Sequence, residues 1–459
     1  MKTFFGREYE LSLISEELKK PSASILVYGK RKVGKTTLIK YALRNNTDTT
    51  VYYECIKGTM QDNVSGFVAE LARCKVIPFK LPLDSFVDVF AYLNSLNQPL
   101  NIIIDEYPYL KEMTKPQIVD SLFQSVIDNN IGNIHLFLSG SHIGMMKDLL
   151  KEKNALYGRF SLTLQLKELN YIDAANFYPQ KTVYDKVAFY SVFGGSPFVN
   201  EFIDEKKDLK ANIVNTILNQ SSPVYSYAEH ILISDFSNQV NAERIMYAVA
   251  NGKKKYGEIE EMLNMKNNGL LSKQLTSLLD MEIITKTFPI NRQNDKKKIS
   301  YELNDNLMRF YYAFVYSNKS ALAMLGPDAF YDEYIEKPLI TFISHRFEEQ
   351  CRNYFSMKVK AGDIKGVKNI GTYYYDDSVN HTNGEFDVVL QRSNCFDIYE
   401  VKYHSAPLKE KDIIFEAKRI MNIPELKIGR IGFVSVSGFE KPQGEYERIE
   451  GKSIYDIKM

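Results

Sequence analysis

The sequence Gly29-Lys30-Arg31-Lys32-Val33-Gly34-Lys35-Thr36 follows an apolar run at 24–28 and precedes a helical pattern that begins at Thr37. Strand, glycine-bracketed loop and helix start in this order are typical of a phosphate-binding P-loop, because backbone N–H groups and a helix N-terminus must converge on one anion. Lys35 is predicted to reach the β- and γ-phosphates, and the Thr36 hydroxyl to hold Mg²⁺. Residues 29–37 are therefore expected to bind a nucleoside triphosphate.

An acidic pair, Asp105-Glu106, follows the stretch Asn101–Ile104, which is apolar from Ile102 onward. Such a run indicates a strand buried in a parallel sheet, and ligands bind at the carboxyl ends of these strands. Asp105 is predicted to contact the Mg²⁺ shell, and Glu106 to polarise the attacking water. Alone, the pair would be an ordinary turn or helix cap, but the P-loop favours hydrolysis. Neither Asn-Lys-x-Asp nor Thr-Lys-x-Asp follows, which favours ATP over GTP.

Length and composition indicate an ordinary globular protein of several domains. The chain has 459 residues, 44% of them hydrophobic and 25% charged, which predicts two to four domains. A net charge of +1 gives no overall attraction to nucleic acid, so any such contact needs a local patch. Four widely spaced cysteines suggest reduced thiols. With no signal-peptide core and no apolar run long enough to span a bilayer, the expected location is cytoplasmic, without membrane contact.

The order of strands resembles the additional-strand, catalytic-glutamate class of P-loop ATPases. A second strand is predicted at 50–54 and helical stretches at 62–73 and 84–97, before the Asp105 strand. A further strand at 134–139 ends in Ser139-Gly140-Ser141. In this class the strand beside the acidic one ends in a small polar residue that senses the γ-phosphate. The resemblance gives Ser139 or Ser141 that role, although Ser-Gly-Ser is also a generic helix cap.

The next segments complete an ATPase-like N-terminal region. Arg159 precedes an alternating strand at 162–166, and it is interpreted as a finger for the transition-state charge, in cis or toward a neighbouring subunit of a homo-oligomer, or as a surface arginine. Six motifs together resemble the archaeal-type ATPases, relatives of the AAA+ and STAND groups: the Gly-Arg-Glu start at 6–8, the P-loop, the acidic pair, Ser-Gly-Ser, Tyr-Gly-Arg and Gly-Gly-Ser-Pro at 194–197. The resemblance implies a second sensor arginine in the lid of a typical AAA+ ring motor. No arginine lies between Arg159 and Arg244, and this departure favours a switch over a ring motor.

The domain prediction divides the chain into five parts. It places a P-loop ATPase core at 1–166, a helical lid at 167–240, a winged helix at 241–303, a helical linker at 304–335 and a last domain at 336–459. In the winged helix, Lys273 and Gln274 are expected on the outer face of the recognition helix and a lysine run at 296–298 in the wing. The module either contacts DNA or docks internally.

The last domain carries a second set of charged residues. Asp387 lies on one predicted strand and Glu400 and Lys402 on the next, with a polar turn between them. If the turn closes a hairpin, Asp387 and Glu400 stand side by side to hold Mg²⁺ with the Val401 carbonyl, while Lys402 stabilises or orients the attacking water. Glu385 is expected on the face of Asp387, and Glu348 behind the metal ligands. The pattern resembles the PD-(D/E)XK restriction-endonuclease-like nucleases, although Phe386 replaces the usual proline.

The predicted fold class is therefore α/β, with a P-loop parallel sheet, helical lid, winged helix and restriction-endonuclease-like C-terminal domain. Two functions follow. One is an ATPase switch whose nucleotide state gates a Mg²⁺-dependent nuclease-like domain acting on nucleic acid such as DNA. The other is a STAND-like regulatory ATPase that binds DNA or protein through its winged helix and carries a non-catalytic C-terminal module.

Overall fold

The computed structural model describes residues 4–79, 81–230, 241–265, 269–377, 382–424 and 426–457. Its contacts divide the chain into two compact units, one formed by residues 1–169 and 196–198 and the other by the remaining residues. Part of the predicted lid, residues 231–240, lies outside the described residues.

The first unit is built on a five-stranded parallel sheet with strand order β2-β3-β4-β1-β5. The strands are β1 (Ala23–Tyr28), β2 (Thr49–Glu54), β3 (Leu100–Asp105), β4 (Ile134–Gly140) and β5 (Leu162–Gln165). The helices are α1 (Glu8–Glu17), α2 (Lys35–Ala42), α3 (Met60–Arg73), α4 (Phe86–Ser95), α5 (Pro116–Asn129) and α6 (Ile143–Asp148), with a 3₁₀ turn at Tyr107–Lys111. This confirms the predicted α/β sheet, with β4 between the P-loop strand and the acidic strand.

Two apolar layers hold this sheet. One packs α3, α4 and α5 against one face through side chains such as Phe67, Phe90 and Phe123, and the other packs α1 and α2 against the opposite face through Ile14 and Leu38. β1, β3 and β4 are buried at every position, and each large apolar side chain buried contributes about 1.5–3 kcal/mol. The continuous apolar runs of these strands follow from burial on both faces.

The second unit begins with helices and a small antiparallel hairpin. Its helices up to residue 360 are α7 (Tyr171–Ala174), α8 (Val183–Phe193), α9 (Pro197–Asn200, whose first two residues belong to the first unit), α10 (Leu209–Thr216), α11 (Pro223–His230), α12 (Ala242–Ala250), α13 (Tyr256–Leu263), α14 (Leu270–Asp280), α15 (Asn306–Phe310), α16 (Lys319–Leu325), α17 (Pro327–Phe330) and α18 (Glu336–Lys360). The hairpin is β6 (Ile284–Thr287) and β7 (Ser300–Leu303).

One detail of the predicted recognition helix is wrong. Gln274 on α14 is only 6% exposed, whereas the sequence prediction placed it on the outer face. It lies three residues after Leu271 and four before Leu278, so it falls within the apolar stripe of the helix. Lys273 is exposed, as predicted.

The C-terminal part of the second unit is a mixed five-stranded sheet with strand order β12-β11-β10-β9-β8. Its strands are β8 (Asn369–Asp377), β9 (Thr382–Gln391), β10 (Phe396–Lys402), β11 (Ile428–Ser435) and β12 (Glu447–Glu450), and its helices α19 (Glu410–Met421) and α20 (Gly451–Tyr455). β8, β9 and β10 are antiparallel, while β10, β11 and β12 are parallel. Within the described residues, no helix has the length and hydropathy needed to cross a membrane.

Candidate functional site

The P-loop connects the end of β1 to the start of α2, where the sequence analysis placed it. Lys32 and Gly34 adopt positive φ angles of 63° and 96°, and Gly34 stands at the N-cap of α2. At Gly29 an added Cβ would lie 2.2 Å from the carbonyl oxygen of Leu166, so only glycine fits the start of the loop. The Lys35 ammonium donates to the carbonyls of Gly29 and Lys30, both at 3.0 Å.

Asp105 is the meeting point of three hydroxyl groups from three different elements. Thr36 Oγ1 and Tyr52 Oη both donate to Asp105 Oδ2 at 2.7 Å, and the Ser139 hydroxyl donates to Oδ1. Burial would raise the pKa of the Asp105 carboxyl, but these hydrogen bonds outweigh it and hold the pKa below its ordinary value. The carboxylate is therefore ionised and oriented beside the Thr36 hydroxyl, which is the oxygen pair expected to serve Mg²⁺.

Glu106 occupies a separate position at the same edge of the sheet. Its backbone has a left-handed conformation, with φ 50° and ψ 44°. The Ser141 hydroxyl and backbone N–H both donate to Glu106 Oε2, at 2.8 and 3.1 Å. Ser139 and Ser141 thus hold different carboxylates, Asp105 and Glu106 respectively.

Gly140, between these two serines, allows the 3₁₀ turn after Glu106 to pack closely on β4. An added Cβ on Gly140 would lie 2.6 Å from Pro108 Cδ and 2.7 Å from Met146 Sδ. The Ser-Gly-Ser sequence therefore combines two hydroxyl donors with the one residue that leaves room for the turn.

Two regions that brace the P-loop were missed as site residues. Arg7 donates to the carbonyls of Val33, at 3.3 Å, and of Lys167. Ser196 Oγ donates to the Lys32 carbonyl at 3.3 Å, and the Lys32 ammonium lies 4.7 Å from the centre of the Phe198 ring. The Gly-Arg-Glu and Gly-Gly-Ser-Pro stretches stand out in the sequence, but a sequence gives no sign of which loop such distant residues contact.

Arg159 is not brought to the P-loop. It precedes β5, and its carbonyl accepts a hydrogen bond from Ser24 Oγ at the start of β1, whereas the P-loop follows the end of β1. Its guanidinium pairs with Asp128 on α5 at 3.0 Å. The six residues of β1 separate the two sheet edges by roughly 17–20 Å. A finger toward a neighbouring subunit stays a prediction.

The C-terminal carboxylates lie on the hairpin of β9 and β10. The antiparallel register pairs Asp397 with Leu390, Ile398 with Val389 and Tyr399 with Val388. The ladder ends at this last pair, and Asp387 and Glu400 are the next residues of the two strands. The hairpin therefore forms as the sequence analysis required.

The simple alternation of faces around Asp387 is wrong, however. β8 pairs Gly371 with Val389 but Tyr373 with Phe386, so β9 contains one extra residue across Asp387. Such a bulge disrupts the two-residue period, and Glu385 and Asp387 cannot be assigned to one face by counting.

Several carboxylates crowd around Asp387 in the C-terminal domain. Burial, together with the charges of Glu348, Glu385 and Glu400, raises the pKa of Asp387 to about 7, although Arg352 opposes them. Lys402 Nζ pairs with Glu400 at 2.8 Å and with Glu416 at 3.5 Å. Although burial lowers the pKa of Lys402, these carboxylates raise it above its ordinary value. No group of three metal-ligating side chains forms within the described part of the chain.

Comparison with known proteins supports the N-terminal assignment. Residues 4–199 match a family model described as an ATPase domain predominantly from Archaea, and residues 311–414 match one described as archaeal and bacterial proteins of unknown function. The uncharacterized protein MJECL04 of Methanocaldococcus jannaschii is 27% identical over 424 residues, which cover 89% of each chain.

Among solved structures, the Walker-type ATPase paby2304 of Pyrococcus abyssi is similar with a TM-score of 0.51 and 19% identity, over 67% of this chain and 96% of that one. The ORC2 protein of Aeropyrum pernix gives a TM-score of 0.46 and 12% identity, over 71% and 97%. At 19% identity, the similarity to paby2304 shows the fold alone. The parallel sheet and the family match together support a P-loop ATPase domain of archaeal type over residues 4–199.

Proposed function

We propose that this chain is a Mg²⁺-dependent ATPase that acts as a nucleotide switch. The observation that carries the proposal is the convergence of Thr36 and Asp105 at 2.7 Å beside the P-loop lysine, with Glu106 held separately by Ser141. Bound Mg²⁺ would neutralise charge on the phosphates of ATP. The residues fit ATP together with Mg²⁺, since Lys35 offers an ammonium, the loop leads into the N-terminus of α2, and Asp105 is ionised.

Each residue has a defined task in this proposal. Lys35 would bind the β- and γ-phosphates, and residues 29–37 would offer backbone N–H groups to them. Thr36 and Asp105 would hold Mg²⁺. Glu106 would orient the attacking water by accepting one of its protons as a hydrogen bond, and Ser139 would sense the γ-phosphate.

Hydrolysis of ATP and GTP, each with Mg²⁺ and with a chelator, tests this proposal. We expect turnover of ATP with Mg²⁺ and little with GTP or chelator. Asp105→Asn should lose Mg²⁺-dependent turnover while Asp128→Asn, a charge change at the far edge of the sheet, retains it. Equal turnover in Asp105→Asn and wild type would contradict the metal role.

We also propose that the C-terminal domain cuts nucleic acid with Mg²⁺ under control of the nucleotide state. The support is chemical. Asp387 and Glu400 interact strongly enough to contribute to the raised pKa of Asp387, and a divalent cation relieves this repulsion. Lys402, close to Glu400, would stabilise charge that develops on the cleaved phosphate.

Cleavage of plasmid, single-stranded DNA and RNA, with and without ATP, tests the nuclease proposal. Asp387→Ala should lose both cleavage and Mg²⁺ binding, and Lys402→Ala should lose cleavage alone. Lys411→Ala, an exposed lysine on α19, is the matched control. Absence of cleavage together with melting curves that Mg²⁺ and Mn²⁺ leave unchanged would contradict it.

A regulatory ATPase with a non-catalytic C-terminal module is the second candidate. It is favoured by charge pairing inside the cluster, where Glu400 and Glu416 are each matched with Lys402 and Arg419 at 2.8 to 3.9 Å. The predicted winged helix would then bind DNA or protein. DNA binding that persists in Asp387→Ala and is lost in Lys296→Ala/Lys297→Ala would favour this candidate.

A further inference from the structure

A buried charged cluster lies directly behind Glu106. The Asp120 carboxylate on α5 accepts from Tyr107 Oη at 2.8 Å and pairs with Lys111 Nζ at 2.6 Å, both through Oδ1. Asn154 Nδ2 donates to the other oxygen at 2.8 Å. The side chains of Lys111 and Asp120 are each 4% exposed. The cluster therefore lies in the interior, away from solvent.

Both partners of Asp120 Oδ1 come from the 3₁₀ turn that Glu106 begins. Tyr107 is the first residue of this turn and Lys111 the last. One carboxylate oxygen consequently fixes both ends of a five-residue turn. The Tyr107 ring adds an edge contact with Phe123 of α5, with centroids 5.0 Å apart, so the turn has little freedom to rotate on α5.

The opposite side of the turn contacts the nucleotide-binding elements. Pro108 packs on Gly140 so closely that a Cβ there would lie 2.6 Å away. Tyr109 accepts a hydrogen bond from Arg31 of the P-loop through its hydroxyl. Between these two anchored sides, the left-handed backbone of Glu106 sets the direction in which its carboxylate leaves the strand.

We infer that Asp120 is a positioning residue for ATP hydrolysis: through Tyr107 and Lys111 it fixes the turn that aims the Glu106 carboxylate. The inference rests on the proposed role of Glu106. A buried ion pair adds little stability compared with an apolar pair of the same volume, although losing one partner is costly. What the pair supplies is orientation, and misplacement of a reacting group by about 1 Å can reduce a rate by roughly a hundredfold.

The test uses a neutral pair in place of the charged one. Lys111→Met leaves an unpaired buried carboxylate, so it should melt at a lower temperature than wild type. Lys111→Met/Asp120→Asn removes both charges at nearly constant volume and should recover much of the melting temperature. Asp128→Asn is the matched control, because it removes an aspartate of the same helix whose partner is Arg159.

The turnover rate and the hydrogen exchange of the turn then distinguish a loss of positioning from a loss of stability. In the double variant we expect kcat for ATP to fall about tenfold, with ATP affinity within twofold of wild type. Amide hydrogen exchange at residues 106–111 of the nucleotide-free protein should become faster in the double variant and stay unchanged in Asp128→Asn. Tyr107→Phe, which keeps the ion pair and removes one hydrogen bond, should show the same changes in smaller size.

A double variant with wild-type kcat and unchanged exchange at 106–111 would overturn the inference, as would equal losses in Asp128→Asn. If the double variant does not fold, Tyr107→Phe decides by the same readouts. Failure of the Glu106 role is recognised independently: Glu106→Gln would then turn over ATP normally, whatever the exchange at 106–111. An inactive Glu106→Gln beside a fully active double variant would refute the role of Asp120 alone.

Discussion

Asp105 in the first unit is buried and Asp387 in the second is half-buried, and both lie at candidate metal sites. Their surroundings shift the pKa values of the two carboxyls in opposite directions. Asp105 receives hydrogen bonds from Thr36, Tyr52 and Ser139, and its pKa is lowered in spite of burial. Asp387 is surrounded by Glu348, Glu385 and Glu400, which add to burial and raise its pKa to about 7.

The two sites differ in what stabilises the charge of the aspartate. Neutral donors already orient an ionised Asp105, so the N-terminal site is organised without a cation. Glu348, Glu385 and Glu400 repel the ionised form of Asp387, so a proton on Asp387 relieves the repulsion, as a cation in the proposed site would. A Mg²⁺ ion in the proposed C-terminal site would therefore replace a proton, whereas Asp105 is ionised before any cation binds.

The largest expected effect is in the N-terminal site. Lys35→Ala removes the ammonium proposed to bind the phosphates, and charged hydrogen bonds contribute about 1.5–3 kcal/mol, so ATP affinity should fall about tenfold to a hundredfold by calorimetry. Lys19→Ala, at an exposed lysine paired with Glu16, serves as the control. Unchanged ATP affinity in Lys35→Ala would contradict phosphate binding by the P-loop.

The second effect concerns pH and the C-terminal site. Because the pKa of Asp387 is raised in the folded state, the folded protein holds a proton that the unfolded chain releases. The stabilisation is thus complete below about pH 4, the ordinary aspartate pKa, and is lost as the pH rises through about 7.

Asp387→Asn should therefore flatten the decline in the free energy of unfolding between pH 5 and pH 8, by an amount on the order of 1–2 kcal/mol. The measurement is denaturant unfolding at both pH values. Asp412→Asn, at an exposed residue of α19, should leave the decline unchanged. If the free energy of unfolding of Asp387→Asn declines with pH as steeply as that of wild type, the surroundings of Asp387 do not favour its protonated form.

The contrast also explains what the sequence could predict. β1, β3 and the residues that follow them were predictable, because apolar runs and the P-loop spacing are local. The hairpin that carries Asp387 and Glu400 was predictable from its two strands and polar turn, but the bulge across Asp387 was not, since alternation assumes an unbroken ladder. Tyr52, Arg7 and Ser196 were missed as site residues because their roles depend on contacts between distant segments.

A smaller effect is expected from the hydroxyl donors of Asp105. Tyr52→Phe removes one donor, and a net hydrogen bond of about 1 kcal/mol corresponds to roughly 0.7 pH units. The pKa of Asp105 should rise, so the acidic limb of the ATPase rate profile should move to higher pH. Tyr53→Phe is a close control, since Tyr53 donates to Asn63 at 3.0 Å instead. Equal profiles for both variants would contradict the role of the donors.

The smallest signal is expected from Arg159. Its exposed pair with Asp128 contributes at most about 1 kcal/mol to stability, so Arg159→Ala should fold normally. If Arg159 serves a neighbouring subunit, mixing Arg159→Ala with Lys35→Ala protein should recover part of the ATPase activity, because each supplies what the other lacks. No recovery in a mixture shown to co-assemble would make Arg159 a structural residue.

The central claim is that Asp105 and Glu106, adjacent in sequence, perform separate tasks in ATP hydrolysis. The most direct test measures ATP affinity and single-turnover hydrolysis of Glu106→Gln with Mg²⁺. We expect wild-type ATP affinity, because Lys35, Thr36 and Asp105 are unchanged. We expect hydrolysis to be slowed about a hundredfold or more, because a positioned proton acceptor is lost. Wild-type hydrolysis by Glu106→Gln would contradict it.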